Sequence, residues 1–154
     1  MYITWLGTNS FRLESAGEQL LIDPFIELSG GANPNSMEDF VGADTVLVTH
    51  GHFDHLFFVQ DIMEQEEATV FCTAVSAETL EHFCEQTDLI VQLKPGQEFT
   101  LGPADIHVYQ GRHIRFDRKL ILQTLRPLHL LKHARNLPFL AWASRNFPEK
   151  GETV

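Results

Sequence analysis

Between residues 50 and 55 the chain sets four ligand-type side chains in six positions, His50-Gly51-His52-Phe53-Asp54-His55. Imidazole with carboxylate suits zinc first, and manganese or iron next. Eight histidines and eight aspartates in 154 residues make a chance run of this pattern about a one-in-a-thousand event. In extended backbone, residues two apart point to the same side, so His50 and His52 should converge. Asp54 and His55 then turn with the chain toward a second, nearby point. Asp54 also falls at an expected helix N-terminus, where a carboxylate is favoured.

The neighbouring elements explain how such a run could be held. Thr45-Val46-Leu47-Val48-Thr49 is continuous and β-branched, apolar on both faces, and predicts a central buried strand. The motif follows its end, where open α/β sheets place their sites. Leu56 to Glu67 has helical spacing. Upstream, Tyr2 to Leu6, Ser10 to Ser15 and Gln19 to Ile22 read as a three-stranded meander, closed by Asp23-Pro24 because proline donates no ladder N–H. Ser36 should cap a short helix over Met37 to Phe40. Downstream come a strand at Thr69 to Cys72 and a helix over Ala77 to Gln86 capped by Ser76. Further strands follow at Leu89 to Leu93, Phe99 to Leu101 and Asp105 to Tyr109. Arg118 to Asn136 has helical spacing that Pro127 must kink.

The length suits a single domain, 1–154. Eleven basic against 21 acidic residues give a net charge of −10, which argues against nucleic acid or an anionic membrane as partner. No apolar run reaches a membrane span. Met1 to Gly7 shows neither a basic n-region nor a long apolar h-region, so no signal peptide is expected. Cys72 and Cys84 lie in apolar surroundings and read as reduced core thiols of a cytoplasmic protein.

With Val46-Leu47-Val48-Thr49 before it, the His50 to His55 run resembles the signature of the metallo-β-lactamase superfamily. Trp5-Leu6-Gly7, Ser10-Phe11 and Leu21-Ile22-Asp23-Pro24 are similar to the start of a branch of metal-dependent hydrolases related to sugar-phosphate lactonases. The resemblance covers about residues 1 to 117. It implies an α/β (α+β) fold, the αββα sandwich of two facing sheets with helices outside. It also implies a small-molecule hydrolase in which a divalent metal, zinc above all, activates water against a lactone or phosphoester. His50 and His52 match two ligands of one metal position, and Asp54 and His55 match ligands of the next. Asp54 would also orient the nucleophile. His113, after a strand and Gly111, fits the third histidine of the first position, against a plain loop histidine. Asp23 matches an aspartate that accepts the N–H of a ligand histidine, with an Asp-Pro turn an equal alternative.

The family pattern also calls for a bridging aspartate and a last histidine. Beyond His113 the chain offers only Asp117, His129 and His133, none in the expected context. The sequence therefore reads as the N-terminal half of the fold plus a helical insertion. As an alternative to an enzyme it reads as a truncated, non-catalytic metal-binding module. Half a sandwich leaves one sheet face bare, so the chain is expected either to self-associate into a homo-oligomer or to be unstable. His129 and His133 suit an ordinary helix face. Arg112, Arg115, Arg118 and Lys119 suit either an anionic substrate or a solvated loop. His82 reads as a solvated helix residue and His107 as a sheet residue.

Overall fold

A computed structural model describes residues 1–28, 31–102, 104–111 and 134–147. The meander forms where the alternation and turns demand it. β1 (Tyr2–Gly7), β2 (Ser10–Ser15) and β3 (Glu18–Ile22) pair antiparallel. Short crossovers then add three parallel strands, β4 (Thr45–Leu47), β5 (Thr69–Cys72) and β6 (Ile90–Gln92). The sheet runs β1-β2-β3-β4-β5-β6 in spatial order. β7 (Glu98–Leu101) and β8 (Ala104–His107) make a separate antiparallel hairpin.

The sheet's two faces are unequal. Leu21, Val46 and Val70 face each other across β3, β4 and β5 and are completely buried. Their cover comes from α1 (Phe53–Leu56), α2 (Val59–Glu66) and α3 (Ala74–Leu80), through Leu56, Val59, Ile62, Met63, Ala77 and Leu80. The opposite face carries a row Trp5–Phe11–Ile22–Leu47–Phe71–Val91, one residue per strand. Trp5, Phe11 and Val91 in it are exposed, and Phe71 stacks on Phe99 of the hairpin at 5.3 Å. The β4 run is thus sealed on its Val46 and Val48 side and half-buried at Thr45 and Leu47.

Several boundaries differ from the sequence reading. Residues Leu56 to Glu67 form two helices, because Phe57 and Phe58 turn the chain between α1 and α2. α3 begins three residues before the expected start. Thr73, not Ser76, caps it, with the Ser76 N–H donating to Thr73 Oγ1 at 3.1 Å. A fourth helix, α4 (Leu137–Asn146), was not foreseen, although Asn136-Leu137-Pro138 is a helix-start signature. It docks through aromatic contacts of Phe139 with Phe53 and Phe57, at 5.9 and 5.1 Å, and of Trp142 with Phe57 at 5.5 Å. The expected Arg118 to Asn136 helix lies outside the described residues as far as 133, and Ala134–Asn136 is a 3₁₀ turn. Both cysteines are free and buried. Among the described residues no helix is long and apolar enough to cross a membrane.

Candidate metal centre

The site grows out of the parallel pairing of β3 with β4. Ile22 lies opposite Leu47, and the Asp23 N–H donates to the Leu47 carbonyl at 2.9 Å. This sets the residue after β3 beside the residues that leave β4. Asp23 is buried and left-handed, with φ of 47°. Aspartate tolerates that region better than most residues, but the position is strained and sits next to a proline. Ser10 ties down the same corner, donating its hydroxyl to the Asp23 carbonyl and accepting from the Phe25 N–H, both at 2.7 Å.

The Asp23 carboxylate is fully engaged. Oδ1 accepts the Thr49 N–H at 2.8 Å, and Oδ2 accepts the Thr49 hydroxyl at 2.8 Å and meets His55 Nδ1 at 2.9 Å. A carboxylate only accepts, so His55 Nδ1 carries the proton and Nε2 holds the lone pair. The Thr49 hydroxyl spends its one proton on Asp23. Its 3.0 Å contact with His50 Nδ1 must therefore be an N–H donated by His50, which leaves His50 Nε2 as the lone-pair nitrogen. One aspartate and one threonine thus fix the tautomers of two imidazoles.

His50 Nε2 lies 3.1 Å from His52 Nδ1. Two nitrogens bound at zinc-like lengths to one tetrahedral ion would be about 3.3 Å apart, so this pair already has the spacing of two ligands. The His55 ring lies 3.9 Å from the His50 ring, and His55 Nε2 is 3.7 Å from Asp54 Oδ2. His52 is also the N-cap residue of α1, its carbonyl accepting the N–H groups of His55 and Leu56. Phe53 faces away into Phe25 and Phe139, so α1 is anchored on the side opposite its polar residues.

Burial lowers the pKa of His55. The hydrogen bond and charge of Asp23, with the charge of Asp54, outweigh that, and the net shift is upward.

The structure thus brings together His50, His52, Asp54, His55 and Asp23. Among the described residues no group of three His, Cys, Asp or Glu side chains is set to hold an ion. The donors fit two corners of a site, and His113, the residue expected to complete it, lies outside the described residues. So do Arg112, Arg115, Asp117, Arg118, Lys119, His129 and His133. His82 is exposed beyond α3, and His107 pairs across the hairpin with Glu98 at 3.0 Å. Sequence reasoning missed Thr49 and Asn9. Asn9 Nδ2 is 3.1 Å from His55 Nε2. A cleft lined by Leu13, Leu20, Thr45, Leu101 and Ala104 shares no residue with this cluster.

The chain is similar to several known proteins. A metal-dependent hydrolase of Methanopyrus kandleri is 47% identical over 70 residues, 46% of this chain and 30% of that protein. Another from Archaeoglobus fulgidus is 44% identical over 72 residues, 47% of this chain and 30% of its own length. The matched stretch is thus under a third of these relatives. Among solved structures, Igni18, a metallo hydrolase of the archaeon Ignicoccus hospitalis, has a TM-score of 0.53 at 25% identity, covering 64% of this chain and 42% of that one. The metallo-beta-lactamase SMB-1, at 17% identity and TM-score 0.53, shares the fold over 73% of this chain and 56% of its own. The described elements are therefore part of a metallo-β-lactamase fold. Residues 18–121 match the beta-lactamase superfamily domain, and the chain belongs to that family.

Proposed function

We propose that this chain carries the metal-binding half of a metal-dependent hydrolase acting on a small molecule. The observation that carries the reading is the 3.1 Å approach of His50 Nε2 to His52 Nδ1, with the His50 tautomer set by Thr49. His50 and His52 would hold one divalent ion with His113, and His55 and Asp54 would serve a neighbouring position. Zinc suits this donor set best, and manganese or iron also fit it. A bound divalent ion supplies Lewis acidity and brings the pKa of water toward about 7. The chain does the rest. Asp23 and Thr49 hold the imidazoles in one orientation before any ligand arrives. Asp54, half-buried, would orient the attacking water. The substrate class we favour is a lactone or phosphoester, and an anionic one would draw on the arginines after residue 111.

Metal content of the purified chain and of the double variant His50→Ala/His52→Ala, followed by hydrolysis of lactone and phosphodiester panels, tests the reading. A divalent ion in the wild type that the double variant lacks is the expected result. Equal metal content in both would overturn it. Metal without turnover would favour a second reading, a metal-binding module. The convergence of only two ring nitrogens at bonding spacing among the described residues supports that alternative.

A further inference from the structure

Asn9 is an exposed residue with an unusually well-fixed backbone. It sits in the β1–β2 turn, where Gly7 has φ of 116° and Thr8 has φ of 43°. A side chain on Gly7 would come within 2.8 Å of Glu27 Cγ and 2.9 Å of the Asn33 carbonyl, so only glycine allows the loop to close on the turn. Glu27 then clamps it. Its Oε1 accepts the Thr8 N–H at 2.7 Å and its Oε2 accepts the Asn33 N–H at 2.9 Å. Asn35 adds a bond to the Leu6 carbonyl at 2.7 Å, and Trp5 Nε1 donates to the Thr8 carbonyl at 3.2 Å. A turn held from both sides delivers one side chain to the histidine cluster, the Asn9 carboxamide, 3.1 Å from His55 Nε2.

Nε2 is the lone-pair nitrogen of His55, because Nδ1 gives its proton to Asp23. One lone pair serves one partner. It accepts an N–H from Asn9 or it binds an ion. We propose that Asn9 is a positioning residue that competes with a divalent ion for His55, occupying the Nε2 lone pair until the ion displaces it. The proposal rests on the reading of His55 as a metal donor. Its chemical content is that the second metal position is held shut by a neutral amide. An ion entering there must break that bond, and it frees the amide N–H that made it. The released carboxamide is then a donor within the site, able to meet an oxygen of the substrate. The cost of displacing it makes the His55 position the weaker of the two.

The full-length chain, stripped with chelator, and its Asn9→Ala variant provide the test. Asn9 is exposed, and alanine there removes its part-buried bond to His55 while the Thr8–Glu27 bond of the turn stays in place. At pH 8.5, nitrogen NMR of the metal-free chains should show the His55 Nε2 resonance moving downfield in Asn9→Ala, toward that of an unbonded lone pair, while Nδ1 stays in place. Cobalt(II) titration should show the weaker of two sites binding about three- to tenfold more tightly in the variant, the effect of one lost hydrogen bond. The tighter site should be unchanged. An Nε2 resonance that does not move, or a weaker site with unchanged or reduced affinity, overturns the proposal. Absence of cobalt binding by both chains would break the metal-centre reading itself and the proposal with it. Two equal sites in the wild type would break the proposal alone.

Discussion

The two ends of the histidine motif are held in different ways. His55 is 7% exposed and locked to Asp23 and Thr49, inside a network that also fixes the backbone of β3 and β4. His50 and His52 are half-buried, His50 resting against His55 and Thr49 on one side and meeting His52 on the other. Folding alone stabilises the first arrangement, since its polar groups are out of water and need one another. The second holds two ring nitrogens at ligand spacing, the His52 Nδ1–H donating to the His50 Nε2 lone pair, a bond that an ion would replace. Stability and binding are therefore assigned to neighbouring residues of one six-residue motif.

Substitution should separate the two ends most at Asp23. In Asp23→Ala the Thr49 N–H, the Thr49 hydroxyl and His55 Nδ1 lose their acceptor in a buried place, and we expect a loss of about 3 kcal/mol in urea unfolding. His52→Ala should stay within about 0.5 kcal/mol of wild type in the metal-free state, while lowering divalent-ion affinity at least tenfold. Equal losses of stability in the two variants would erase the distinction.

Thr49→Val sharpens the comparison. It keeps the branched shape of the side chain and removes the hydroxyl that sets the His50 tautomer. A cost of about 1 kcal/mol is expected, together with weaker binding of cobalt(II) at the His50–His52 pair. Retention of full affinity would show that Thr49 does not orient His50.

The smallest effect contrasts the buried, carboxylate-paired His55 with the two buried thiols. Burial pushes the Cys72 thiol up to about 12, with a further rise from Glu81, and the Cys84 thiol up to about 11, with rises from Glu64 and Asp61. The folded state therefore binds these protons more tightly than the unfolded chain, whose thiols titrate near 9.0. The stability they contribute is complete below pH 9 and is lost as pH rises toward 11 and 12. Unfolding curves from pH 8 to 10.5 should fall less steeply in Cys72→Ala/Cys84→Ala than in the wild type. Parallel curves would mean that the thiols ionise as easily folded as unfolded.

The local signals of this fold were legible and the tertiary ones were not. The His50 to His55 run, the strand before it and the Asp23-Pro24 stop are contiguous patterns, and each stands where a short window would put it. Which residues of the meander face the motif depends on the β3–β4 register, and nothing in either strand's own sequence states that register. Thr49 and Asn9 join the cluster only through it. The Thr73 cap was hidden because Ser76, three residues on, is an equally good capping residue. The choice fell to the chain's exit from β5. The α4 start is signalled at Asn136-Leu137-Pro138, but the longer leucine pattern that precedes it is the stronger local signal.

The bond from Trp5 to Thr8 has an optical consequence. The chain holds two tryptophans, Trp5 beside the turn that carries Asn9 and Trp142 on the helix that packs against Phe57. They are 46% and 43% exposed, so their emission in the wild type will overlap. Replacing Trp142 with phenylalanine leaves one tryptophan, excited selectively near the red edge of its absorption, whose indole N–H is fastened to the β1–β2 turn. Its emission maximum and its quenching by iodide then report on that turn alone, and entry of an ion at His55 can be followed by light without a label.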